Sequence, residues 1–145
     1  MSTASALLDA YLPAFLSPTT LPLPTFLARV YPLALGAFLV IVSLGLFFAP
    51  ASMANGVKMA TPSPQTRGYM LLFAIREFSM GALFVAITLQ GDFRAVKLCL
   101  LATVPLAVGD TWVMGAHSEQ GWAAAFRTHG IALAVTTAAY MWLDA

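Results

Sequence analysis

Four long apolar segments constrain this chain more than any other feature. The hydrocarbon core of a bilayer is about 30 Å thick, and an α-helix crosses it in about 20 residues. Four stretches of the sequence reach that length with few charges: 31–49, 68–90, 95–114 and 122–142. Inside lipid the backbone must satisfy its own hydrogen bonds, so each stretch is predicted to form a helix.

The composition supports a membrane location. Of the 145 residues, 60% are hydrophobic and only 9% are charged, whereas an average soluble domain carries about 25% charged residues. So few charges would not cover the surface of a soluble domain. The net charge of +1 is spread thinly, which gives no basic patch for nucleic acid. We therefore predict an integral, multi-pass membrane protein whose partner is the lipid bilayer.

The spacing of the segments predicts an all-α fold, a four-helix up-down bundle over residues 31–145. Residues 1–30 form a separate N-terminal flank. Within it, residues 7–16 suit a short amphipathic helix lying in the interface, and the proline-rich stretch 16–26 is expected to be extended because proline removes donors and breaks helices. The connection 50–67 contains three prolines and is expected to be a surface loop, with a lid over a cavity as the alternative.

Five arginine, aspartate, glutamate and histidine side chains fall inside the predicted helices. They are Arg76 and Glu77 in the second segment, Asp110 in the third, and Arg127 and His129 in the fourth. Counting 1.5 Å of rise per residue places all five in the same half of the bilayer. A lone charge at the bilayer centre costs at least about 2.5 to 3.5 kcal/mol on insertion scales. We therefore expect these groups to face inward and to pair with one another.

Side-chain geometry suggests how the pairing is arranged. The guanidinium of Arg76 and the carboxylate of Asp110 can form a bidentate ion pair. Glu77 lies about 100° from Arg76 around its helix and is expected to meet His129. Arg127 is too far round the helix from His129 to share its cavity, and we expect it either to snorkel to the interface or to contact a ligand.

Two readings of these charges stay open at this point. Buried ion pairs can fix helix register with no further role, whereas intramembrane ionisable groups commonly mark functional sites, and acid–base chemistry uses carboxylates beside histidine or arginine. Five such groups at one depth favour function. The sequence has no HExxH, CxxC or glycine-rich phosphate loop, so neither a metal nor a cofactor is expected.

Three short segments resemble the recurring pattern of a known family. They read IREFSMGAL at 75–83, PLAVGDTW at 105–112 and THG at 128–130. The pattern R-[DE]-x-x-x-G, P-x-x-x-x-D and a late H-G is similar to that of a small four-span membrane-protein family of bacteria and fungi, catalogued as a domain of unknown function. The resemblance covers roughly 31–142. The matching positions are Arg76, Glu77, Gly81, Pro105, Asp110, His129 and Gly130.

Fungal members of that family lie beside polyketide and terpenoid biosynthesis genes, which implies a tailoring step on an apolar natural product. We therefore expect a cofactor-independent isomerase or cyclase in the membrane, that of the endoplasmic reticulum if the chain is fungal. Glu77 or Asp110 would transfer a proton, His129 would relay it, and Arg76 would orient Asp110 or polarise a substrate carbonyl. Other side chains are expected to contact the substrate: Trp112, His117, Arg127 and Met80.

Two rival functions come from other classes. A small carrier could use the same buried charges, but a chain this short would need to form a homo-oligomer and would need polar access from both faces. A scaffold for biosynthetic enzymes would need only helix surfaces and no buried charges. Replacing Asp110 in a folded protein separates the scaffold from the enzyme.

Overall fold

All the regular secondary structure in the described part of the chain is helical. The computed structural model describes residues 22–56, 63–119 and 121–143. Its elements in chain order are α1 Leu23–Phe48, α2 Pro50–Gly56, α3 Pro64–Leu89, α4 Phe93–His117, α5 Gly121–Ala125, a π-helical turn Phe126–Gly130, and α6 Ile131–Trp142. These residues form no strand, and the predicted all-α fold is confirmed.

Three of these helices are long and apolar enough to cross a membrane. They are α1, α4 and the part of α3 from Thr66 to Leu89. The fourth predicted span is present as a continuous helical run, but the π-helical turn divides it into α5 and α6. The lengths and hydropathies identify an integral membrane protein.

Helix α1 begins earlier than the sequence predicted. It starts at Leu23, and Pro24 lies in its first turn, where a missing amide hydrogen removes no intrahelical bond. The expectation that stretch 16–26 is extended is therefore wrong for its last residues, which are helical. The predicted interfacial segment 7–16 lies outside the described residues.

Helix α3 also begins earlier than predicted, at Pro64. The Ser63 side chain caps it by accepting a hydrogen bond from the Thr66 amide at 3.2 Å, which satisfies one of the unpaired donors of the first turn. Arg76 and Glu77 consequently become the two central residues of a 26-residue helix. The placement of the five groups in one half of the bilayer stays a prediction.

The predicted loop 50–67 is helical at both of its ends. Residues 50–56 form α2 and residues 64–67 belong to α3, while 57–62 lie outside the described residues. Proline at the first helical position again explains both starts, because its fixed backbone angle suits a helix and its missing amide hydrogen costs no bond there. The alternatives of loop and lid therefore apply to a shorter stretch.

The most extensive packing in the bundle is between α1 and α3. The Ser43 hydroxyl donates a hydrogen bond to the Ala74 carbonyl at 2.7 Å, and Gly36 lies against Gly81. Moving seven residues forward along α1 corresponds to moving seven back along α3, so the helices are antiparallel. Small residues at such crossings let helix backbones approach closely in membranes.

The buried core lies near the end of the bundle where α1 begins and α6 ends. Its apolar cluster consists of Ala28, Phe84, Val96, Leu100, Ala139 and Leu143. At the same end, the Tyr31 hydroxyl and the Thr136 hydroxyl share a hydrogen bond of 2.7 Å that joins α1 to α6. This packing holds the four helical runs together.

Candidate functional site

Arg76 lies between two carboxylates in the middle of the bundle. Its Nε and Nη2 atoms both donate to Oε1 of Glu77, at 2.9 Å and 2.6 Å. The same Nη2 donates to both carboxylate oxygens of Asp110, at 3.3 Å and 3.2 Å. The expected contact between Arg76 on α3 and Asp110 on α4 is therefore present, although one guanidinium nitrogen supplies it instead of a bidentate fork.

The contact between Arg76 and Glu77 was not expected from the sequence. Adjacent residues on a helix point about 100° apart and do not normally face each other. Here the long arginine side chain bends back over its neighbour. The Phe73 ring lies one turn earlier, with its centroid 4.3 Å from the guanidinium carbon of Arg76, and this cation–π contact stabilises the bent position.

The three charged side chains differ in how far they are covered. The Glu77 side chain is 9% exposed, whereas those of Arg76 and Asp110 are 33% and 28% exposed. Arg76 Nη1 makes no hydrogen bond with the described residues. Glu77 therefore serves as the buried counter-charge, and Arg76 and Asp110 present an amino group and a carboxylate at an accessible surface.

His129 contacts α4 through a methionine. Its Nε2 atom lies 2.9 Å from Sδ of Met114. Met114 follows Asp110 by four residues on α4, so the two side chains lie one above the other, about 5 to 6 Å apart at their Cβ atoms. His129 is thereby placed beside the turn next to Asp110. No hydrogen bond joins His129 to Glu77 among the described residues, and Oε1 of Glu77 is bound by Arg76.

The π-helical turn positions His129. It covers Phe126–Gly130 and interrupts the last helical run. Such turns are rare and often occur at functional sites. The sequence predicted neither the π-helical turn nor the contact of Met114 with His129. The only sequence feature that points to Met114 is its position four residues after Asp110, on the same face of α4.

The residues expected to contact a substrate differ in their burial and do not lie together in one pocket lining. Met80 is partly buried and packs against the apolar core cluster, and Trp112, His117 and Arg127 are exposed. The Trp112 ring meets that of Trp122 edge to face, with ring centroids 5.3 Å apart. The structure therefore brings Arg76, Glu77 and Asp110 into direct contact, with His129 adjacent.

Two apolar grooves lie on the face formed by α1 and α3. One has a volume of about 290 Å³ and is lined by Phe47, Phe48 and Phe78 among others. The other, of about 630 Å³, lies beside Val40 and Val85. None of the charged residues of the site lines either groove, so these grooves are surface features of the span and separate from the charged cluster.

The described residues contain no cluster of side chains that could bind a metal ion through three or more protein ligands. No group of three or more histidine, cysteine, aspartate or glutamate side chains comes together among them. Arg76 also occupies the space between the two carboxylates, where a cation would otherwise bind. The arrangement is suited to proton transfer and to hydrogen bonding of a polar group in an apolar setting.

Comparison with known proteins gives one match. The model of a family described as a domain of unknown function, DUF4267, matches residues 36–143. That range includes Arg76, Glu77, Asp110, Met114 and His129. No curated protein and no solved structure matches the chain. Because the family model covers well over half of the sequence, the chain belongs to the DUF4267 family.

Proposed function

We propose that the protein is an intramembrane enzyme that isomerises or cyclises a lipophilic intermediate without a cofactor. The observation that carries this proposal is a single arginine held between two carboxylates inside apolar helices, with Asp110 accessible and Glu77 buried. An ion pair that only fixed helix register would be satisfied by one carboxylate. A second carboxylate, left partly open, supplies a group that can exchange a proton.

In this proposal Arg76, Asp110 and Glu77 each have a different role. Arg76 Nη1 is available to donate to a carbonyl or hydroxyl oxygen of the substrate, which stabilises negative charge on that oxygen in the transition state. Asp110 is the carboxylate that reaches the substrate and takes a proton from one carbon. Asp110 passes that proton on to solvent, and a solvent proton delivered to another carbon completes the double-bond shift, so the substrate has no net gain or loss of atoms. Glu77 keeps the guanidinium in place throughout.

The surroundings of the cluster favour a substrate that arrives from the bilayer. Large apolar side chains on the same two helices are exposed: Leu72, Ile75, Trp112 and Val113. Arg76 and Asp110 therefore lie in a polar gap within an apolar surface. A molecule with one polar oxygen and an apolar skeleton would place the oxygen at Arg76 and the skeleton along the helices, which supplies orientation as well as electrostatics.

The resemblance noted in the sequence supports a polyketide or terpenoid intermediate as the substrate class. It also supports the endoplasmic reticulum membrane as the location if the chain is fungal. A homo-oligomer is compatible with the proposal, because none of the charged residues of the site lines the apolar grooves on α1 and α3.

Turnover by purified protein tests the proposal. The protein is reconstituted in lipid nanodiscs with a panel of polyketide and terpenoid intermediates in deuterated water, and products are identified by mass spectrometry. We expect an isomer or cyclised product that carries deuterium from the solvent. Asp110→Asn should lower the rate by about 10²- to 10⁴-fold, the usual contribution of general acid–base catalysis, with the fold retained.

The matched control is Asp92→Asn, the same replacement at the start of α4. Asp92 caps that helix by accepting from the Ala95 amide, and asparagine caps about as well, so this variant should turn over normally. In a parallel reconstitution into closed lipid vesicles, transport of an unchanged substrate across the membrane would identify a carrier instead. Full turnover by Asp110→Asn would contradict the proposed role of the cluster.

A further inference from the structure

The contact between His129 and Met114 determines where a proton can reside on the imidazole ring. A thioether sulfur carries no hydrogen and acts only as a weak acceptor. With Nε2 of His129 only 2.9 Å from Sδ of Met114, an unprotonated nitrogen would direct its lone pair at the lone pairs of sulfur. The contact is attractive only when Nε2 carries the hydrogen and donates it.

The other ring nitrogen is left open by this arrangement. In a neutral imidazole one nitrogen is the donor and the other is the acceptor, so a hydrogen on Nε2 makes Nδ1 the acceptor. Nδ1 forms no hydrogen bond with the described residues, and it is not among their fully buried, unpaired polar atoms. It is therefore accessible from the space around the ring.

The neighbouring elements explain why the ring is held this way. The π-helical turn carries His129 toward α4, where Met114 lies four residues beyond Asp110. Histidines that exchange protons are commonly held in one tautomer by a partner at the other nitrogen. Here that partner is a sulfur atom, which holds a hydrogen on Nε2 without introducing another charge into the membrane.

We propose that Met114 is a positioning residue that fixes neutral His129 as its Nε2–H tautomer, so that Nδ1 is the atom that accepts a relayed proton. The tautomer follows from the contact alone. The relay rests on the function proposed above, because it requires a proton released at Asp110.

Nitrogen chemical shifts of the histidine rings test the tautomer directly. The chain has only two histidines, and His117 at the exposed end of α4 is an internal reference. Protein labelled with ¹⁵N in its histidines is reconstituted in nanodiscs and studied by NMR at a pH where both rings are neutral. We expect His129 to show the Nε2–H form alone and His117 to show averaged shifts of both tautomers.

Two variants test whether Met114 is the residue that fixes the tautomer of His129. Met114→Leu keeps the volume but removes the acceptor, and we expect the Nδ1–H form of His129 to appear. Met141→Leu makes the same replacement at an exposed position of α6 and should leave the His129 shifts unchanged. A dominant Nδ1–H form in the unaltered protein overturns the inference without any variant. An unchanged tautomer in folded Met114→Leu overturns the role of Met114.

The relay is tested separately by turnover. Met114→Leu and His129→Gln should both slow the reaction while leaving the KM of the substrate nearly unchanged, since neither side chain is expected to bind it. Full turnover by His129→Gln removes the relay even if the tautomer is as stated. A loss confined to Asp110→Asn therefore contradicts this inference alone, whereas full turnover by Asp110→Asn contradicts the proposed function.

Discussion

Arg76 is bound more closely to Glu77 on its own helix than to Asp110 on the neighbouring helix. Its Nη2 atom lies 2.6 Å from the first carboxylate and 3.2 Å from the nearer oxygen of the second. Glu77 is also the more deeply buried of the two. The arginine is therefore anchored within α3, and its link to α4 is the looser part of the cluster. This asymmetry leaves Asp110 free to exchange a bond with arginine for a bond with a ligand.

Removing the arginine should destabilise the bundle. In Arg76→Ala, buried Glu77 loses its recorded hydrogen-bond partner, and a charged group left unpaired costs about 1 to 3 kcal/mol or more. We expect a fall of about that size in the free energy of unfolding, measured by denaturation in mixed detergent micelles. The double variant Arg76→Ala/Glu77→Gln should recover part of it, because the second change removes the unpaired charge. No recovery in the double variant would show that the loss comes from packing.

Replacing the arginine by lysine should impair activity more than stability. Lysine keeps the charge, but its ammonium is a point donor without the planar fork of a guanidinium. It cannot bind Glu77 through two nitrogens, contact Asp110 and keep a further amino group for the substrate. We expect Arg76→Lys to fold with a modest loss of melting temperature and to turn over much more slowly. Arg67→Lys, at an exposed position on the same helix, should match the unaltered protein in both measurements.

The crossing of α1 and α3 should not accept a side chain at Gly81. A Cβ there would lie 2.6 Å from the carbonyl oxygen of Gly36 and 3.0 Å from the backbone nitrogen of Val40, and backbone atoms cannot move aside as a flexible side chain can. Overpacking of this kind typically costs about 1 to 3 kcal/mol. We expect Gly81→Ala to lower the free energy of unfolding by that amount, measured by denaturation in detergent.

The control for this prediction is Gly68→Ala on the same helix. No atom lies within 4 Å of a Cβ built at Gly68, and alanine in a helix is favoured over glycine by about 0.5 to 1 kcal/mol. The two variants should therefore shift stability in opposite directions. If Gly81→Ala were as stable as Gly68→Ala, the two helices would not approach as closely as described.

The helices could be predicted from hydropathy because length and apolar content directly determine what crosses a bilayer. Their ends were less accurate, since proline was read as a helix breaker at Pro24, Pro50 and Pro64, whereas all three lie at or near helix starts. A first-turn proline and an interior proline differ only in position relative to a boundary that the sequence does not mark. The earlier start of α3 makes Arg76 and Glu77 the central residues of that helix.

The sequence predicted which charged residues belong to the cluster better than it predicted the hydrogen bonds between them. Charge in an apolar setting requires pairing, which brought Arg76 and Asp110 together on energetic grounds. The bend of Arg76 onto Glu77 depends on side-chain torsions, and the π-helical turn depends on one extra residue in a helical turn. Neither feature changes the spacing of hydrophobic residues from which the helices were predicted. Met114 was missed for the same reason, because a methionine in an apolar helix looks like packing.

The last prediction concerns the junction of α4 and α5, which places His129 against Met114. A Cβ at Gly115 would collide with the indole ring of Trp122, so Gly115→Ala must displace that ring. Its edge-to-face contact with Trp112, at 5.3 Å between ring centroids, should then be lost. We expect a change in tryptophan emission, together with a loss of stability of about 1 to 3 kcal/mol.

The chain has three tryptophans, so the measurement is made in a Trp142→Phe background, which leaves only the pair at the junction. Gly109→Ala is the control on the same helix, because no atom lies within 4 Å of a Cβ built there. It should leave emission unchanged and raise stability slightly, since alanine is favoured over glycine in a helix. Since Gly115 follows Met114 directly, the displaced helix should also separate His129 from its sulfur partner. Unchanged emission in Gly115→Ala would mean that Trp122 does not pack on the glycine, and the position of the π-helical turn would then need another explanation.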